Sequence, residues 1–170
     1  MRRIAALAAV LVLAACDSGK PAAEPAPAAP ATSAASGAAA AATPPTCAAD
    51  VPSRVLPEWA RTGFSEAEPK MPFVLGDRGD IVAIVFGYPL YAPTLPDRSN
   101  KILWVSRVEQ QAGEPLEIEA RLGGTGDPVT EKVSGGAGPS IIDLPKAGCW
   151  HLRLSWSGHT DTMRLTYEAN

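Results

Sequence analysis

Ser157, His159 and Asp161 fall at alternate positions of one short stretch and bring a hydroxyl, an imidazole and a carboxylate together. Nucleophilic catalysis needs the base within hydrogen-bond reach of the hydroxyl and a third group to orient the base. Alternate positions of a strand share a face, yet their side chains run parallel and do not converge on one substrate atom. Ser, Gly, Thr and Asp are also ordinary turn residues, so the stretch reads as a hairpin turn and no catalytic residue is assigned. His151, His159 and Asp161 suggest metal binding, because the histidines flank that turn and approach each other if it closes a hairpin. A zinc site takes three or four ligands with outer hydrogen bonds behind them. With two histidines in the whole chain, no ligand set is complete, and neither a metal nor another cofactor is expected.

The three cysteines carry different chemistry. Leu13-Ala14-Ala15-Cys16 closes an apolar segment, Ile4 to Leu13, that follows Arg2 and Arg3. That is the layout of a bacterial secretory signal, and its apolar core is too short to span a ~30 Å hydrocarbon layer. Ending on cysteine makes it a lipoprotein signal. Residues 1–15 are therefore expected to be removed, leaving Cys16 as an acylated (palmitate-bearing) first residue. The expected location is the cell membrane, lipid-anchored on the extracytoplasmic face. Disulfides persist in that compartment, so Cys47 and Cys149 are expected to pair. The bond would close a loop of about 100 residues, worth at most roughly 4–5 kcal/mol. Two buried free thiols are the alternative; a metal pair lacks any C-x-x-C partner.

Loss of Arg2 and Arg3 takes the formal charge from −3 to −5, thirteen basic residues against eighteen acidic. No basic stripe is present, which excludes nucleic acid as the expected partner. No polybasic run faces anionic lipid, so membrane contact is expected through the acyl chains alone. Residues 17–46 are almost wholly Ala, Pro, Ser, Thr and Gly. They lack the apolar bulk to form a core, and 16–46 is expected to be a disordered Ala/Pro-rich tether reaching at most ~90 Å.

Residues 47–170 make one domain of common size. Trp150-His151-Leu152-Arg153-Leu154-Ser155-Trp156 alternates apolar and polar residues, as do Met163, Leu165 and Tyr167 against Thr162, Arg164 and Thr166, and Leu116, Ile118 and Ala120 against Glu117, Glu119 and Arg121. Period-two alternation predicts strands with one buried and one wet face. Val129–Val133 gives a weaker strand, 101–108 and 140–144 two more, and the wholly apolar Ile81–Phe86 one that is covered on both faces. Gly-rich clusters at 76–79, 123–127, 134–138 and 157–159 separate them. The 123–127 and 134–138 clusters lack the Lys-Ser/Thr and helix of a phosphate loop, and Arg78-Gly79-Asp80 reads as a turn feeding a buried strand. Pro57–Arg61 is expected to make at most one helical turn. This pattern predicts an all-β, antiparallel immunoglobulin-like β-sandwich following the signal peptide and tether. With Trp150 and Trp156 facing the core, Cys149 falls on the opposite parity. The disulfide is then expected to clip the N-terminal segment onto the outer face or edge of that strand.

Four tryptophans in so small a domain admit two readings. All are core, since aromatics dominate cores, or some form an exposed platform for a partner or glycan. For the second reading the candidates are Trp59 and the segment Tyr88-Pro89-Leu90-Tyr91, which runs on to Pro96 as a long apolar loop. Trp59, Tyr88, Leu90 and Tyr91 are therefore the candidate binding surface.

The stretches Leu56-Pro57-Glu58-Trp59-Ala60-Arg61, Leu75-Gly76-Asp77-Arg78-Gly79, Lys101-Ile102-Leu103-Trp104-Val105, Gly148-Cys149-Trp150 and Trp156-Ser157-Gly158-His159-Thr160-Asp161-Thr162 span most of 56–167. In them the domain resembles uncharacterised actinobacterial-type membrane lipoproteins with a C-terminal β-rich domain. The resemblance implies location and a β-rich domain, and brings no activity. The sequence thus leads to a non-enzymatic, lipid-anchored domain that binds or supports another cell-envelope component, a protein or the wall glycan. The alternative is a small-molecule or glycan receptor using the aromatic surface, and a hydrolase using Ser157, His159 and Asp161 ranks below both.

Overall fold

Alternation along the chain becomes two sheets of five strands each. The computed structural model describes residues 47–48 and 50–170, so the signal peptide 1–15, the acylation of Cys16 and the tether 16–46 lie outside the described residues. The first sheet runs β1 (Ser53–Val55), β2 (Lys70–Leu75), β3 (Ile81–Val85), β5 (Lys101–Ser106), β8 (Pro139–Ile141). The second runs β4 (Leu90–Ala92), β10 (His159–Ala169), β9 (Gly148–Trp156), β6 (Leu116–Leu122), β7 (Val129–Val133). Every pairing is antiparallel except β4 with β10, which is parallel. Residues from both sheets close one core, Ile81, Val85, Ile102 and Trp104 against Ile118, Leu152, Leu154, Trp156 and Leu165. The arrangement is sandwich-like and all-β, with no α-helix among the described residues and a single 3₁₀ turn at Glu58–Ala60.

The period-two readings translate directly. In β9, Trp150, Leu152, Leu154 and Trp156 are buried and the residues between them are not. The β9–β10 hairpin turns on two residues, Ser157 at φ 45° and Gly158 at φ 76°. A two-residue loop with positive φ at both positions matches the twist of the flanking strands. β3 is buried at every position, because a second apolar layer lies on the outer side of the first sheet. There Phe73, Val82 and Ile84 pack under Leu56, Ala60, Trp59 and Phe64.

Three strands, β1, β2 and β4, lie outside the sequence reading. The segment read as a long apolar loop contains β4, whose Leu90 and Ala92 are core residues. β4 is short and flanked by Pro89 and Pro93, so no run of alternation marks it. Tertiary partners hold it in place. It pairs with β10 on one side, and on the other buried Asn100 acts as a strand neighbour. The Asn100 side-chain carbonyl accepts the Tyr91 N–H (2.9 Å), and its amide donates to the Tyr91 carbonyl (2.9 Å). β2 also has no sequence signature, because Pro72 argues against a central strand; on that side only three-residue β1 flanks it.

Tyr167 closes the core. Its hydroxyl donates to the Ile142 carbonyl at 2.7 Å in a buried setting, and burial pushes the phenol far above its ordinary value of 10.0. The folded state therefore holds a proton that the unfolded state releases. Stability is fully present below pH 10 and falls above it, by up to about 1.4 kcal/mol per pH unit for this group. Urea unfolding between pH 9 and pH 11 should show that slope, and Tyr167→Phe should remove it while costing about 1 kcal/mol at neutral pH. An unchanged slope in the variant would assign the pH effect to other groups.

Candidate functional site

The structure separates the residues of the suspected triad. Ser157 Oγ accepts the Gln111 N–H at 2.9 Å. His159 is exposed and lies against the Trp156 ring, centroids 5.9 Å apart. Asp161 is buried, 2% exposed. Its carboxylate accepts the backbone N–H groups of Arg78 (2.9 Å), Asp80 (3.1 Å) and Thr162 (2.8 Å). Asp161 thus fastens the β2–β3 turn, which contains Arg78-Gly79-Asp80, to the free side of β10. The Asp77 N–H donates to the Thr162 carbonyl at 2.7 Å along the same seam. His151 pairs with Arg164 and His159 with Trp156. The two histidines are therefore five residues apart along β9, on the order of 17 Å at ~3.4 Å per residue. They do not approach each other as a closed hairpin suggested, because the turn sits at His159 and not midway between them.

The four residues of the aromatic surface do not form one surface. Leu90 is buried, 2% exposed, and belongs to the core. Trp59 packs over the outer side of the first sheet. Tyr91 alternates with Leu90 and Ala92, opposite Glu168 on the outer side of the second sheet, with the Arg98 guanidinium 5.1 Å from its ring centre. Tyr88 is half-buried, and its hydroxyl donates to Asp50 Oδ1 (2.8 Å) while accepting the Val51 N–H (2.9 Å). Its phenol is raised above its ordinary value by burial, against the lowering effect of the Val51 N–H. Trp104, Trp150 and Trp156 are all buried. Of the four candidates Leu90 alone is a core residue, and Trp59 and Tyr91 lie on opposite faces of the sandwich.

The Cys47–Cys149 disulfide is formed, with Cα atoms 5.5 Å apart. Because β9 lies between β10 and β6, the bond clips the N-terminal segment to the outer face of the second sheet and not to an edge. Thr166 Oγ1 donates to the Ala48 carbonyl (3.2 Å) alongside it.

That outer face carries the most concentrated polar chemistry of the domain. Arg164 on β10 and Arg121 on β6 stand directly opposite His151 on β9, so one rung across three strands reads Arg164–His151–Arg121. All three are half-buried. No carboxylate stands on this rung to balance the two guanidinium groups. Arg164 donates to Asp77 Oδ1 at 3.1 Å, and Arg121 donates to the Gly126 carbonyl. Among the described residues, neither Arg121 nor His151 forms an ion pair with a carboxylate. On the next rung Arg153 stands 3.9 Å from Glu119. These side chains line an open recess of about 510 Å³. It adjoins a second recess of about 390 Å³, which shares Asp77 and Arg164 and is walled by Val51, Val74 and Leu75. The sequence shows each basic residue but not the rung, because β6 and β9 become neighbours only through pairing.

Among the described residues no group of three or more His, Cys, Asp or Glu side chains is placed to hold a metal ion, and no helix is long and apolar enough to cross a membrane. Comparison with protein-family models, with curated proteins and with solved structures finds no match to this chain.

Proposed function

We propose that this chain is a non-enzymatic, lipid-anchored module on the extracytoplasmic face of the cell membrane that binds or supports another envelope component through the outer face of its second sheet. The anchor rests on Leu13-Ala14-Ala15-Cys16. The observation that carries the binding role is the open, charged outer face bearing the Arg164–His151–Arg121 rung. A non-enzymatic role is supported by Ser157 and Asp161, whose oxygens are engaged by backbone N–H groups. An immunoglobulin-like type is supported by strand order. The run β10-β9-β6-β7 corresponds to the G-F-C-C′ sheet of variable-type domains, and β3-β5-β8 to the A-B-E strands of the opposing sheet.

A photo-reactive residue at Ser155 or Thr130, both outward on the second sheet, tests the reading in cells of the source organism. Irradiation should give one dominant envelope adduct from these positions and none from Arg107, an exposed residue that follows β5 of the first sheet. Equal labelling from all three positions would refute the assignment of the face.

A further inference from the structure

We propose that the Arg121–His151–Arg164 rung is a binding site for a phosphate ester, whose apolar portion lies along Val51, Val74 and Leu75. This rests on the reading of the second sheet's outer face as the functional one, and adds the chemistry of the ligand.

Three observations converge. The first is charge. Over 47–170 acidic residues outnumber Lys and Arg sixteen to twelve, yet one rung gathers two arginines and a histidine on adjacent strands. Selection for stability alone would place opposite charges across strands, as it does for Glu117 with Lys132 at 3.6 Å. In the same recess Asp77 pairs with Arg164 and Glu119 with Arg153, so Arg121 is the guanidinium left without a carboxylate, and a ligand anion supplies one there.

The second is preorganisation. The two guanidinium groups are held at the flanks, Arg164 by Asp77 and Arg121 by the Gly126 carbonyl. They stand either side of His151 with backbones about 10 Å apart across two strand spacings. A guanidinium fork presents planar paired N–H donors that match the oxygens of phosphate, and a half-buried site screens the attraction less than open solvent does. Three basic centres suit a phosphate better than a lone carboxylate, since a phosphate presents more oxygens and more charge. Gly124 maintains the approach to the imidazole: a Cβ there would stand 3.0 Å from His151 Nδ1.

The third is the wall. The polar recess continues past Arg164 into a recess walled by Val51, Val74 and Leu75, with Leu75 41% exposed. Exposed leucine beside a charged recess gives an apolar group of the same ligand a place to lie. The N-terminal segment forms the far side, fixed there by the Cys47–Cys149 bond.

The test is a titration of the ¹⁵N-labelled domain, with the disulfide intact, against inorganic phosphate and then glycerol phosphate, chloride being exchanged to hold ionic strength constant. Residues 121, 151 and 164 should shift together with one saturating curve. Arg121→Gln should weaken binding at least tenfold, since its guanidinium touches only a loop carbonyl and its loss leaves no ion pair broken. Lys132→Gln, outward on the same sheet, should leave the curve unchanged. Co-sedimentation with phosphatidylglycerol vesicles, phosphatidylcholine as control, then separates the sources. Vesicle binding that needs Arg121 identifies a lipid headgroup, and its absence alongside phosphate binding identifies a soluble ester. Shifts that track ionic strength alone, or an Arg121→Gln curve superimposed on the wild type, overturn the proposal. The Ser155 cross-link would be unaffected by that failure, so the broader reading stands or falls separately.

Discussion

Opening the Cys47–Cys149 bond is expected to lower the unfolding free energy by up to about 4–5 kcal/mol. The bond spans 102 residues, and closing a loop of that length removes about 4.7 kcal/mol of chain entropy from the unfolded state. The Cys47→Ser/Cys149→Ser pair is the clean variant, because a single replacement leaves a reactive thiol. The folded state should change little beyond the strap. Val51 N–H would still reach the Tyr88 hydroxyl and Thr166 the Ala48 carbonyl, although hydrogen exchange at Val51 should quicken. Urea unfolding reads the global effect. With a slope near 2 kcal/mol/M the midpoint should fall by up to about 2 M, and the slope should rise as the unfolded chain expands. A loss below about 1 kcal/mol would show that the cross-link restrains the strap and little else.

The second large effect centres on Asp161. Asp161→Ala should cost about 3–4 kcal/mol, because three backbone N–H groups lose an ionised acceptor and hydrogen bonds to charged groups contribute about 1.5–3 kcal/mol each, less where water replaces them. Asp161→Asn is the sharper probe. It keeps the shape but turns one acceptor into an N–H₂ group facing an N–H donor, so it should still lose about 2 kcal/mol. Gly76 belongs to the same unit: a Cβ there would overlap the Asp161 carboxylate. Gly76→Ala should therefore destabilise strongly in the wild type and much less on the Asp161→Ala background. Additivity of the two in a double-mutant cycle would disprove the coupling. Chemical denaturation of the four proteins completes the cycle.

The strands β6, β9 and β10 are legible because each has one face in the core and one in water, so burial writes a period of two into the residues themselves. β3 is legible as doubly covered for the same reason. β4 and β2 are not, since three residues between prolines, or a strand holding Pro72, carry no period. Their existence depends on Asn100 and on neighbouring strands. The charge balance and the pairing of Cys47 with Cys149 need no fold and can be read from residue identity and order.

Contacts between distant segments are a different matter. Asp161 looks like a turn residue until the β2–β3 turn arrives to donate its N–H groups. Tyr88, Leu90, Tyr91 and Trp59 look like a platform until the sandwich sends them to the core and to opposite faces. Arg121, His151 and Arg164 are isolated polar positions in their own strands. Only the β6–β9–β10 register sets them on one rung, because local sequence encodes which face a side chain takes and pairing across the sheet decides which side chain it meets.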